Sequence, residues 1–119
     1  MNTVAEPINL DCISTATPPT FEFSVSLDEA TRKVTHSSKA GAAFNADGFF
    51  SANEISYQEV TVVSGMRLSS QYVINRTDLT IKAIFHAEPA DPLYVKRATT
   101  VHEEHEGICT IVTKKDQKI

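Results

Sequence analysis

Apolar and polar side chains alternate along two stretches of this sequence. In the first stretch every second residue from Phe21 to Leu27 is apolar, and in the second every second residue from Leu79 to Phe85 is apolar. A period of two places these side chains on one face of a strand, whereas a helix needs a period near 3.6. We therefore expect strands, and not helices, to build this protein.

Each alternating stretch lies next to a polar turn. One turn covers residues 28–33 and leads to Val34-Thr35-His36, and the other covers residues 75–78 and follows Ile74. Asp and Asn begin these turns, and both favour turns because their side chains bond to the nearby backbone. We interpret both regions as β-hairpins.

Shorter apolar runs predict the remaining strands. They lie at residues 8–12, 59–63 and 109–111. Ser51-Ala52-Asn53-Glu54 has the form of a capping box and predicts one short helical turn. The predicted fold class is all-β: a small antiparallel β-sandwich or open barrel of roughly six to eight short strands, with at most one short helical turn.

The chain length of 119 residues suits one domain with its own core. We expect a single β domain over residues 7–113 and a solvated tail over residues 114–119. Residues 1–6 are interpreted as the remnant of a leader, because Thr3-Val4-Ala5 offers the small residues that a signal peptidase prefers. This interpretation predicts a periplasmic or secreted protein whose export signal has been removed.

The only two cysteines lie near opposite ends of the chain. Cys12 falls in the first apolar run and Cys109 in the last. A disulfide between them would join both ends of the domain, and it would require an oxidising compartment. Two unrelated buried thiols are the alternative, since free cysteine is often buried. The placement of the two residues favours the disulfide.

The charge of the chain limits its partners. Its net charge is −4, with a predicted isoelectric point near 5.5, whereas a nucleic-acid-binding protein needs a basic surface. No apolar run reaches the roughly 18–20 residues of a membrane-spanning helix, so we expect no membrane insertion. Another protein is the expected partner, and the sequence leaves the oligomeric state open.

The sequence contains no recognised catalytic motif. It has no Gly-x-Ser-x-Gly elbow, no Cys-x-x-Cys pair and no glycine-rich phosphate loop. We therefore expect a non-enzymatic protein that uses no cofactor.

The segment His102-Glu103-Glu104-His105-Glu106 concentrates groups that can bind a divalent metal. His102 and His105 would share one face of a helical turn, but they would lie on opposite faces of a strand. Metal capture through His102 and His105 is one alternative function, and a solvated charged loop is the plainer interpretation of the segment.

Aromatic residues next to turn signals suggest a binding surface. Exposed aromatic side chains supply much contact area in interfaces, although burial in the core is the plainer interpretation. Loops on rigid β scaffolds carry function, so we expect partner contacts in the loops at residues 45–54 and 88–106. The candidate partner-binding residues are Phe49, Phe50, Glu54, Leu93, Tyr94, Glu103 and Glu104.

Three short motifs resemble a scattered set of small exported bacterial β domains of uncharacterised function. They are the run Ile8-Asn9-Leu10-Asp11-Cys12, the hairpin Tyr72-Val73-Ile74-Asn75-Arg76 followed by Leu79-Thr80-Ile81, and the closing Gly107-Ile108-Cys109. The resemblance implies export and the terminal disulfide. It brings no activity and no catalytic residue with it.

Taken together, these features predict a protein-binding module of the bacterial envelope, of the inhibitor, immunity-protein or adaptor type. A carrier that holds a small apolar ligand inside a β-barrel is the first alternative. Metal capture through His102 and His105 is the second.

Overall fold

The computed structural model describes residues 7–39, 41–90 and 100–112, and within these ranges it contains nine β-strands and no helix. Strand residues make up 72% of this part of the chain, which confirms the predicted all-β class. The strands are β1 (Ile8–Ser14), β2 (Glu22–Asp28), β3 (Lys33–Ser38), β4 (Ala43–Asp47), β5 (Phe49–Phe50), β6 (Glu54–Val63), β7 (Met66–Asn75), β8 (Thr80–Pro89) and β9 (Val101–Val112).

All nine strands belong to one antiparallel sheet in the order β4-β3-β2-β1-β9-β8-β7-β6-β5. The two ends of the sheet curl towards each other, so that the rings of Phe44 on β4 and Tyr57 on β6 lie 6.2 Å apart. The sheet is therefore a nearly closed barrel. Of the two predicted architectures, the open barrel is the one that forms.

The number of strands is nine, where roughly six to eight are predicted. The excess includes the neighbours β4 and β5, which only Gly48 separates. Segments of five and two residues are too short to show a clear period in the sequence.

Hairpins connect the strands as predicted, and further hairpins that were not predicted include those of β3 with β4, β5 with β6 and β6 with β7. The two predicted hairpins form with turns at residues 29–32 and 76–79. The hairpin between β6 and β7 turns through Ser64 and Gly65, whose φ angles are 51° and 81°. Positive φ at both central positions is typical of a type I′ turn, which suits the twist of paired strands.

Residues 51–54 form a tight bend and not the predicted helical turn. The Ser51 hydroxyl oxygen accepts hydrogen bonds from the backbone N–H groups of Asn53 and Glu54, as in a capping box. The chain then enters β6 directly. Ile55 and Tyr57 are buried at strand spacing. The free energy gained by burying these two side chains exceeds the local preference for a helical turn.

The predicted disulfide between Cys12 and Cys109 is present. The two residues are direct partners in the ladder between β1 and β9, and 97 positions separate them in sequence. In the chain-entropy model a loop of this length is worth about 4–5 kcal/mol of stability. The bond thus joins the first strand to the last.

Inward-facing side chains fill the barrel. One end of the core is mainly aliphatic, and the other end is aromatic. The buried apolar residues are Leu10, Cys12, Phe23, Val25, Leu27, Val34, Ile55, Tyr57, Tyr72, Ile74, Ile81, Ala83 and Cys109.

Four strands extend past the aromatic end of the barrel. They are β6, β7 and β8, with ten residues each, and β9, with twelve. We call the extension the arm and define it as residues 58–63, 66–71, 84–89 and 101–105. At about 3.3 Å per residue, each strand of the arm projects by roughly 15–20 Å.

No helix in the described ranges is long and apolar enough to cross a bilayer. The predicted leader remnant at residues 1–6 and the predicted tail at residues 114–119 lie outside the described residues.

Candidate functional site

A histidine is buried at the aromatic end of the barrel. His36 follows Val34 at strand spacing on β3, so both side chains point inward, and His36 is only 5% exposed. Its Nδ1 atom is hydrogen-bonded with the Tyr57 hydroxyl at 2.8 Å. A buried polar atom without a partner would cost about 1–3 kcal/mol, and the Tyr57 hydroxyl removes that cost.

Aromatic rings enclose the His36 imidazole. The Phe23 ring stacks on it with ring centres 4.0 Å apart, and the Phe44 ring stacks with centres 4.7 Å apart. Tyr72 lies 4.7 Å from His36 and 5.0 Å from Tyr57 between ring centres. These contacts bury the imidazole among apolar faces.

Burial shifts the titration of these groups. The apolar surroundings lower the pKa of His36 from 6.5 to about 4, because they disfavour the charged ring. Burial, with the nearby Tyr72 adding to it, raises the pKa of the Tyr57 hydroxyl. At neutral pH His36 is uncharged and Tyr57 keeps its proton, so the pair is a structural contact inside the barrel.

A pocket of about 230 Å³ opens at the aromatic end, and we call it the mouth pocket. Phe21, Phe44 and Tyr72 contribute to its aromatic lining, and Glu59 on β6 also lines it. Among the residues that the structure describes, no basic side chain forms an ion pair with Glu59. The mouth pocket thus combines aromatic rings with an unpaired carboxylate.

The edge of β6 is open along the arm. β5 pairs only with Ile55 and Ser56, and β4 approaches β6 through the side-chain contact at Tyr57. Within the described ranges, no strand pairs with residues 58–63 on the side of β6 away from β7. The backbone N–H and C=O groups of such an edge are available to another strand.

Three valines make the open edge apolar. Val60, Val62 and Val63 are 49%, 61% and 55% exposed. Proteins commonly protect an edge strand with lysine, proline or a bulge, but β6 contains no lysine or proline, and its ladder with β7 is uninterrupted. The open edge is therefore suited to pairing with another strand.

The structure separates the residues that the sequence suggests for partner binding. Phe49 is exposed, whereas Phe50 packs partly against the core, and both belong to β5 and not to a loop. Glu54 is exposed where β6 begins. Leu93 and Tyr94 lie outside the described residues.

The expectation of a loop over residues 88–106 is wrong at both ends, because β8 continues to Pro89 and β9 begins at Val101. Residues 101–108 pair one by one with β8. Glu103 and Glu104, both exposed, therefore point to opposite faces of the arm.

The strand conformation also separates His102 from His105. His105 lies on the inner face, where its ring centre is 5.5 Å from that of Phe85, and His102 lies on the outer face. The structure thus does not bring the two histidines together. In the described part of the chain, no group of three or more His, Cys, Asp or Glu residues is arranged to hold a metal ion.

His102 instead meets His86 across the ladder between β8 and β9. The two residues are direct partners, and their Nδ1 atoms lie 3.4 Å apart. They are 16 positions apart in sequence, so only the strand register reveals the pairing.

Comparison of the chain with protein-family models, with curated proteins and with solved structures finds no match.

Proposed function

We propose that this protein is a non-enzymatic binding module that takes up an extended segment of a partner protein along the open edge of β6. The observation that carries the proposal is the unpaired edge at residues 58–63, together with the exposed valines Val60, Val62 and Val63. A partner strand added there would satisfy the backbone groups of the edge, while its alternate side chains would provide selectivity.

Charge indicates the chemistry of the partner strand. The chain carries a net charge of −4, and β6 contains Glu54 and Glu59 but no basic residue. A segment with alternating apolar side chains and flanking lysine or arginine would complement both the valines and the glutamates.

The mouth pocket supports the same interpretation. Its volume of about 230 Å³ is below the roughly 300–1,000 Å³ of typical small-molecule sites. A single anchor side chain suits this size better, and aromatic rings beside Glu59 favour a lysine or arginine. The barrel behind the pocket is filled by buried side chains, which gives the alternative of an apolar ligand carrier less support.

We further propose that the module works in the periplasm or outside the cell, as an inhibitor, immunity protein or adaptor. The Cys12–Cys109 disulfide is compatible with such an oxidising environment.

The experiment uses a synthetic peptide of alternating valine and threonine with a lysine at each end. We expect this peptide to slow amide hydrogen exchange at residues 58–63, and a peptide with glutamate at each end to have a weaker effect. The double substitution Val60→Lys and Val62→Lys, which places charges along the edge, should abolish the protection. Ile108→Lys is the matched control, because Ile108 is similarly exposed but lies on the inner strand β9.

Unchanged exchange at residues 58–63 with both peptides would overturn the proposal. Light scattering tests the other possible occupant of the edge. The wild-type particle would then have twice the 13.1 kDa chain mass, and the double substitution would convert it to a monomer. This result would show that a second copy of the chain, and not a different protein, pairs with β6.

A further inference from the structure

Two histidines face each other on the outer surface of the arm. His86 on β8 and His102 on β9 are direct ladder partners, with their Nδ1 atoms 3.4 Å apart and their rings inclined at 68°. Their side chains are 34% and 54% exposed, so solvent ions can reach both rings.

Neighbouring carboxylates determine where the ring hydrogens lie. The Nε2 atom of His86 is 3.4 Å from Glu88 Oε2, and the Nε2 atom of His102 is 3.5 Å from Glu104 Oε2. An ionised carboxylate can only accept, so the His86–Glu88 hydrogen bond requires the ring hydrogen on Nε2 of His86, and the position of Glu104 favours the same tautomer for His102. The Nδ1 atom of each neutral ring is then an acceptor. In this pair of tautomers two acceptor nitrogens face each other at 3.4 Å, whereas the other tautomer of either ring would place a hydrogen between them.

A basic side chain lies beside each of the two carboxylates. Arg67 contacts Glu88 at 3.2 Å, and Lys82 contacts Glu104 at 3.7 Å.

The geometry of the pair matches that of two metal ligands. Metal-bound histidine commonly donates its second N–H to a carboxylate, and the Nε2 atoms of His86 and His102 each lie within 3.5 Å of a glutamate oxygen. At metal–nitrogen distances of about 2.0–2.1 Å and a tetrahedral angle, two ligand nitrogens are about 3.3–3.4 Å apart. We propose that His86 and His102 form a two-histidine binding site for a divalent transition-metal ion, with Cu²⁺ bound more tightly than Zn²⁺.

The site is open and neutral. No third His, Cys, Asp or Glu ligand joins the pair within the described ranges, so water would complete the coordination. Arg67 and Lys82 balance the charges of Glu88 and Glu104. We therefore expect reversible metal binding and not a permanent structural metal.

The test is a calorimetric titration of the oxidised, tag-free protein with Cu²⁺ alone and with Zn²⁺ alone. We expect one equivalent to bind, with nitrogen ligands visible in the Cu²⁺ paramagnetic resonance spectrum. His86→Ala and His102→Ala should each raise the Kd at least tenfold. His105→Ala is the control, because His105 lies on the same strand but on the opposite face. The affinity should fall on acidification, since protons compete with the metal ion for the ring nitrogens.

Three results would overturn the site: no binding of Cu²⁺ by the wild-type protein, wild-type affinity in His86→Ala, or equal losses in His102→Ala and His105→Ala. If the wild-type protein binds no metal, imidazole nitrogen NMR would show that the rings of His86 and His102 share a proton. The double substitution Val60→Lys and Val62→Lys should leave Cu²⁺ binding unchanged. This inference is therefore tested independently of the open edge of β6.

Discussion

His36 on β3 and Tyr57 on β6 share a 2.8 Å hydrogen bond between opposite ends of the sheet. The described strands β4 and β6 have no common ladder. Side chains therefore contribute to closing the barrel at this seam, among them the rings of Phe44 and Tyr57, whose centres lie 6.2 Å apart. A polar contact inside an aromatic cluster thus contributes to the closure of the fold.

Tyr57→Phe tests this contact directly. The substitution leaves the buried His36 Nδ1 atom without its partner, so we expect the free energy of unfolding to fall by about 1–3 kcal/mol. Urea denaturation of the oxidised protein measures the change. Tyr72→Phe is the control, because it removes a hydroxyl from the same cluster without affecting the bond to His36, and we expect a smaller loss. Equal stability of wild type and Tyr57→Phe would contradict the assigned role.

Acid should destabilise the protein through His36. Its pKa is lowered from 6.5 to about 4 in the folded state, so between these values the unfolded chain binds more protons than the folded chain. The stability that neutral His36 contributes is complete above pH 6.5 and declines as the pH falls towards 4. Because a tenfold difference in proton affinity corresponds to about 1.4 kcal/mol, the free energy of unfolding falls by at most about 3 kcal/mol.

Denaturant titrations at a series of pH values measure this slope, and His36→Phe provides the comparison. The variant should be less stable because Tyr57 loses its partner, but its stability should change less between pH 6.5 and 4. If the two proteins show the same slope, His36 is not the group responsible.

Loss of the Cys12–Cys109 bond should destabilise the domain by about 2–5 kcal/mol, because the unfolded chain gains the freedom that the cross-link removes. The replacement of both cysteines by serine, compared with the oxidised wild type in thermal and urea unfolding, measures the effect. A reducing agent should shift the wild-type transition but not that of the double variant. A wild-type transition that does not respond to reduction would contradict the prediction.

Gly107 is required because β1 and an aromatic ring approach β9 closely. A Cβ atom at this position would collide with the Ile13 carbonyl oxygen and would lie 2.7 Å from the Phe21 ring. We expect Gly107→Ala to cost about 1–3 kcal/mol of unfolding free energy, as overpacking commonly does. Ile108→Ala, at the exposed neighbouring position, should cost less. Because the backbone collision remains, the addition of Phe21→Ala should not restore full stability, and complete rescue would show that only the ring is crowded.

Some structural features that the sequence analysis missed have recognisable signals. The Ser64-Gly65 pair between a β-rich run and Met66 is a turn signal, and the structure has a type I′ turn there. The alternation of Val34 and His36 likewise indicates that His36 shares the buried face of β3. Both signals are local, and they could have been read before the structure was known.

The sequence alone determined the all-β class, the two principal hairpins and the disulfide between the terminal runs, because these depend on a period of two, on turn-forming residues and on the only two cysteines. The tertiary structure decided which strands are neighbours. That order encloses His36 beside Tyr57, places His102 opposite His86 and leaves residues 58–63 of β6 without a partner strand on the side away from β7 within the described chain. These relationships join residues distant in sequence, and only the register and curvature of the closed sheet bring them together.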